Sequence, residues 1–200
     1  MPILGSVKDR LRYCLSFGLA LLLVNSIVAF KPAQAMADQD LRARLIAAVN
    51  KSTSFNDRFD AEVWLMDMSR RLSPKVTDHD KRFEFLRLVH NEASQAGIPP
   101  ELVLAVIEVE SDFNHWAISS SGAQGLMQVM PFWLNEIGKT GDNLFHPATN
   151  LRLGCTILKY YLDMEQGELR PALARYNGSL GQRRYPDKVL NALTQRWYRQ

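Results

Sequence analysis

The sequence predicts a mostly α-helical chain, and three observations predict it. Apolar residues recur every three or four positions in several long segments, prolines and glycines fall where those segments stop, and no alternating β-branched run is long enough to build a sheet. Asp40 to Lys51 reads as a first, weak helix, followed by a polar stretch from Ser52 to Asp57. Ala61, Val63, Trp64, Leu65, Met68 and Leu72 give a second helix its apolar side, and Pro74 stops it. Asp78 to Ala96 forms a third, with Phe85, Leu86, Val89 and Ala93 on one face and Gly97 just past its end. Pro99 and Pro100 open a fourth, Glu101 to Phe113. Ser119 to Gly125 reads as a loop, Pro131 to Ile137 as a short helix and Thr149 to Glu165 as a long one.

The chain begins differently from how it continues. Lys8, Arg10 and Arg12 precede an apolar run from Cys14 to Phe30, and the small-residue patterns Ala33-Gln34-Ala35 and Ala35-Met36-Ala37 follow Pro32. That order is the design of a secretory signal peptide. The expected location is therefore the periplasm, with a mature start near Gln34 to Asp38; an uncleaved inner-membrane anchor is the other reading. The expected organisation is a signal peptide over 1–35, a helical extension over 36–77 and one further domain over 78–200.

Charge and cysteines narrow the function classes. Lys8, Arg10, Arg12 and Lys31 stand against Asp9 alone before Ala35, so the leader carries the whole net charge of +3. The remainder is neutral, which argues against a nucleic-acid partner. Once the leader is removed, Cys155 is the single cysteine, so no internal disulfide is expected; it reads as a small buried hydrophobe among Leu151, Leu158 and Leu162. His90, His115 and His146 are scattered without metal-ligand spacing, so no metal and no cofactor is expected.

Residues 100° apart on the fourth helix place Leu102, Val103, Val106, Val109, Glu110 and Phe113 on one side, with Glu108 turned toward water. A carboxylate on the apolar face near a helix C-terminus is discouraged from ionising, both by desolvation and by the negative end of the helix dipole. Such a group can hold a proton near neutral pH and deliver it to a leaving oxygen. Periodicity alone favours a glutamate that reaches solvent or pairs with an arginine.

Three blocks accompany Glu110: Glu110-Ser111 itself, Gly122-Ala123-Gln124-Gly125-Leu126-Met127-Gln128-Val129-Met130-Pro131, and Ala174-Arg175-Tyr176-Asn177-Gly178. In this order and spacing the sequence resembles the lytic transglycosylases with the soluble-lytic-transglycosylase (SLT) catalytic domain, relatives of goose-type lysozyme, over about Leu86 to Val189. The resemblance implies a lysozyme-like single catalytic domain over 78–200 that cuts the glycan strands of peptidoglycan, with Glu110 as acid and then base. It implies that Ser119 hydrogen-bonds near the acid or the sugar, that Gln128 and Met130 line the glycan groove, and that Tyr176 holds the Glu110 carboxyl while Asn177 and Gly178 shape the same wall. Bland readings stand beside these: Ser119 as a loop residue, Met127 and Met130 as packing, Asn177 with Gly178 as a helix cap.

One departure is visible. Larger members of the family place a glutamate shortly before an aromatic after the tyrosine motif, and Gly181-Gln182-Arg183-Arg184-Tyr185 contains none, Gln182 being a weak substitute. Three activities fit the motifs: a lyase that closes a 1,6-anhydro ring, a hydrolytic muramidase needing a second acid (Asp112, Glu136 or Asp142), and a glycan-binding module that does not cut. The expected state is a monomer, with an envelope or secretion machine as a compatible partner.

Overall fold

A computed structural model describes residues 58–198. The leader, the expected helix from Asp40 to Lys51 and the polar stretch after it lie outside the described residues. The described part is mostly α. Its helices are α1 (Arg58–Leu72), α2 (His79–Ala96), α3 (Pro100–Ser111), α4 (Trp133–Ile137), α5 (Pro147–Met164), α6 (Leu169–Tyr176) and α7 (Arg184–Ala192), ending in a π-helical turn, Leu193–Trp197. Among the described residues, β pairing is limited to two isolated bridges, Ile118 with Gln124 and Gln124 with Val129. No described helix is long and apolar enough to cross a membrane.

Local chemistry sets the ends of these helices. Asp78 caps α2 by accepting from the Lys81 N–H, and Gly97 takes the left-handed conformation at φ 70°, returning its N–H to Ala93 and Ser94. At α3 the expected end is two residues too late. Asp112 and Phe113 both adopt positive φ, 49° and 68°, so the chain turns out of the helix after Ser111. Phe113 is thereby swung away to stack between Phe85 and Trp197, with ring centroids 6.0 and 5.6 Å apart.

The centre of the molecule is α3. All six residues from Leu102 to Ile107 are buried, so this helix has no solvent face, and α2, α7 and the π-helical turn surround it. A sequence stripe of one apolar side therefore understated its burial. Glu108, expected in water, is almost covered: it accepts the Trp197 indole N–H at 2.7 Å and pairs with Arg196. The C-terminal turn thus supplies the polar partners that the sequence pattern assigned to solvent.

On the other side, α5 buries Leu151, Leu153, Gly154, Cys155, Ile157, Leu158 and Leu162 against α2 and α6. Cys155 is fully buried, as the sequence suggested, and burial pushes its thiol far above the ordinary range, so it packs rather than reacts. α1, within the expected extension, packs on α2 and sends the Trp64 indole N–H to Glu101 at 2.8 Å.

One buried polar residue joins α5 to the glycine-rich loop. Asn150, 1% exposed, accepts the Met127 N–H at 2.8 Å and donates to the Gln124 and Leu144 carbonyls at 2.8 and 2.9 Å. Gly125, at φ 77°, leaves room for it; a Cβ there would sit 2.3 Å from the Asn150 amide nitrogen. Asn150→Leu leaves the Met127 N–H and the Leu144 carbonyl without partners, while the Gln124 carbonyl still accepts from the Val129 N–H; it is expected to destabilise the fold by about 3 kcal/mol, read as a lower urea midpoint with unchanged slope. Asn150→Asp, which retains the acceptor but loses both donated bonds, should still lose most of that stability.

Candidate active site

Glu110 sits in the last turn of α3, where a helix buried along its length emerges at an open cleft. Val109, Glu110, Asn177, Ser179, Gln182, Arg184, Tyr185 and Lys188 line this cleft, whose volume of about 280 Å³ is near the lower end for small-ligand sites. Glu110 is the one acidic residue in its wall.

The carboxyl is the most perturbed acid described. Burial pushes Glu110 up from its ordinary value of 4.5 to about 7, and a hydrogen bond from Tyr185 opposes the rise without cancelling it. The Tyr185 hydroxyl donates to Glu110 Oε1 at 2.6 Å. Half protonated at neutral pH, this acid can give up a proton and later take one back.

The tyrosine expected to hold the acid is a different one. Tyr176 donates instead to the Met127 carbonyl at 2.8 Å. It lies close enough that the Glu110 charge, after burial, helps hold its hydroxyl protonated, but the two share no hydrogen bond. The reason is geometric: Tyr176 ends α6 against the loop, whereas Tyr185 stands in the first turn of α7, the helix packed directly on α3. The aromatic that the family pattern expects after a glutamate is present, and it contacts the acid itself.

The other expected site residues divide in the same way. Asn177 caps α6 and lines the cleft with Glu110. Gln128 does not line it: at φ 49°, it bends back and donates to the Ala117 and Gly125 carbonyls at 3.1 and 2.8 Å. Ser119 accepts the Ala123 N–H at 3.0 Å and closes its own turn, and Met130 is half-buried outside the cleft.

Side chains from three helices hold the loop from Gln124 to Met127 in place. Ser111, next to the acid, donates to the Leu126 carbonyl at 2.7 Å; Asn150 of α5 takes Met127 N–H and Gln124 O; Tyr176 of α6 takes Met127 O. Gly154 leaves space for the Met127 side chain, since a Cβ there would lie 2.5 Å from its sulfur. Three helices thus grip Gln124, Leu126 and Met127 of one loop.

None of the expected second acids reaches the cleft. Asp112 is exposed and paired with Lys75 at 2.7 Å. Glu136 is exposed on α4. Asp142 is held below the usual carboxylate range, chiefly by the Lys139 N–H, and pairs with Arg152. Among the described residues there is no group of three or more histidines, cysteines and acids that could hold a metal.

The chain matches the family model described as the transglycosylase SLT domain over residues 87–195, and it belongs to that family. The membrane-bound lytic murein transglycosylase C of Yersinia enterocolitica is 35% identical over 124 residues, covering 53% of this chain and 35% of that protein. The transglycosylase of Enterobacteria phage PRD1 is 34% identical over 105 residues, covering 49% of this chain and 38% of that protein. The chain therefore spans little more than a third of the length of these curated relatives. Among solved structures, an inactive mutant of the lytic transglycosylase Slt from Pseudomonas aeruginosa aligns with a TM-score of 0.45 and 20% identity, over 76% of this chain and 33% of that one. The 70-kDa soluble lytic transglycosylase bound to bulgecin A gives 0.45 and 23%, over 74% and 26%.

The raised acid has a measurable consequence for stability. Folded Glu110 keeps its proton to about pH 7, whereas the unfolded chain releases it near 4.5. Its contribution is therefore complete below about pH 4.5 and is lost as pH rises through about 7. Above that, the buried charge costs up to about 3 kcal/mol. Glu110→Gln should thus be the more stable protein at pH 8 and indistinguishable from wild type at pH 4, as read from paired urea titrations. Tyr185→Phe removes the bond that favours the charged form, so the Glu110 carboxyl, followed by NMR, should titrate higher than in wild type.

Proposed function

We propose that this chain is a peptidoglycan lytic transglycosylase, cutting the β-1,4 bond between N-acetylmuramic acid and N-acetylglucosamine and leaving 1,6-anhydro ends. The observation that carries the reading is a lone buried carboxyl, raised to about 7, in the wall of a cleft that holds no second acid. Enzymes that hydrolyse this bond with two carboxylates need the second for a nucleophile or for water. A single acid suits a reaction in which the substrate supplies what is missing. The names of the SLT relatives, two of them transglycosylases acting on murein or carried by a phage, point the same way.

In the proposed reaction, protonated Glu110 gives its proton to the bridging oxygen as the bond to C1 of the muramyl residue breaks. The substrate's acetamido oxygen shares the positive charge left at C1. The Glu110 carboxylate then removes the proton of the C6 hydroxyl, and O6 closes on C1. Glu110 ends protonated, as it began, and no water is consumed. Tyr185, donating to the carboxylate, stabilises the form that appears on proton transfer. Asn177 is the substrate contact in the cleft wall, while Gln128 and Tyr176 act through the loop they hold. The proposed setting is the periplasm, reached by the leader, and the proposed partner is the glycan strand.

Digestion of purified peptidoglycan followed by mass spectrometry tests this. Fragment ends should be lighter by one water than hydrolysed ends; hydrolysed ends would make the protein a muramidase, and intact strands a binding module. Glu110→Gln should bind strands but release no fragments. Tyr185→Phe should slow release by roughly tenfold to a hundredfold, the value of one positioned charge-assisted bond, and shift the basic limb of the pH–rate profile upward. Tyr176→Phe should show its main effect in thermal stability instead.

A further inference from the structure

α7 begins at the active cleft and presents three side chains to it. Tyr185 takes Glu110. Arg184 and Lys188, one helical turn apart, line the same cleft and are exposed. The carboxylate on this helix, Asp187, is flanked by Arg170 and Arg183, whereas among the described residues Arg184 and Lys188 have neither an ion pair nor a hydrogen bond. Among the described residues Glu110 forms no ion pair with either of them and accepts from Tyr185.

A second observation lies beside them. The Ser179 hydroxyl is in the cleft wall, buried, with no hydrogen-bond partner in the protein. Buried hydroxyls in folded proteins are rarely left so, and this one belongs to a residue of the cleft wall. The α7 N-terminus opens on the same side without a side-chain cap, adding a favourable field for negative charge. Two cations without an ion-pair partner, a hydroxyl without a partner and the Gln182 amide together place several donors in one part of the cleft wall.

We propose that Arg184 and Lys188, with Ser179, form an anion subsite that receives a carboxylate attached to the muramyl residue, so that the cleft distinguishes carboxylate-bearing strands from neutral ones. This rests on the glycan reading of the Glu110 cleft. Glycan rings carry no charge of their own, so the groups on a strand that two cations at a sugar site can pair with are its charged substituents. Two sources share this chemistry: the lactyl carboxylate of a peptide-free strand, and a carboxylate of the peptide attached in its place.

The test measures binding to the full chain carrying Glu110→Gln, so that it does not depend on turnover. The ligands are a peptide-bearing tetrasaccharide, the same molecule with its carboxylates amidated, and a peptide-free tetrasaccharide retaining the lactyl carboxylate. Adding Arg184→Gln and Lys188→Gln should weaken the peptide-bearing ligand about tenfold. Amidation should cause the same loss without the two substitutions and no further loss with them. A matching loss on the peptide-free ligand assigns the lactyl carboxylate, and no loss on it assigns the peptide. Equal weakening of free and amidated forms, no weakening of either, or no binding of any form overturns the subsite. If the chain with Glu110 intact releases no anhydro ends while the carboxylate dependence persists, the cutting reading falls and the subsite stands.

Discussion

Burial of the last turn of α3 is the constraint on which the site depends. A glutamate in water is a spent acid at neutral pH, and nothing in its own chemistry makes it otherwise. Here Leu102 to Ile107 are enclosed by α2, α7 and the C-terminal turn, and burial, more than any neighbouring charge, lifts Glu110 to about 7. The same burial costs stability above neutral pH, so the core around α3 must be good enough to carry it. Glu108, two residues earlier, shows the contrast. It is as nearly enclosed, but Trp197 and Arg196 compensate its charge, and it is left as structure.

Much of this was legible in the sequence. α2 and its closing glycine, the proline-opened α3 and the buried face of α5 follow from apolar period and from Gly97 and Pro100, because those signals act within a few residues. Glu110 was legible because an acid on an apolar face conflicts with its surroundings, and because Glu-Ser, Gly-Leu-Met-Gln and Tyr-Asn-Gly follow in order. What was not legible were partners distant in the chain. Tyr185 is 75 residues from the acid it touches, and Trp197 is 89 from Glu108. No local pattern encodes which of two tyrosines the packing of α7 on α3 brings in. The end of α3 was missed for a different reason: Asp112 and Phe113 take up a left-handed backbone that their residue types do not announce.

The glycine-rich block is also better understood as architecture than as a glycan surface. Ser111, Asn150 and Tyr176 come from α3, α5 and α6, and every bond they make here is to the backbone between Gln124 and Met127, apart from those of Ser111 to Ile107 and Asn150 to Leu144. Backbone groups are the same whatever the side chain, so the block's residue types must be dictated by something else. Gly125 is required where Asn150 and the Leu144 carbonyl come within a Cβ's reach, Met127 fills the space over Gly154, and Gln128 turns its amide inward to close the loop. Fixed in this way, the loop is tied to α3 at Ser111, the residue next to Glu110, and the proposed proton transfer would need such fixed surroundings. The glycine-rich block is thus bonded to three helices behind the acid, while the residues that line the cleft beside Val109 and Glu110 come from the segment from Asn177 to Lys188, where this chain departs from the family pattern.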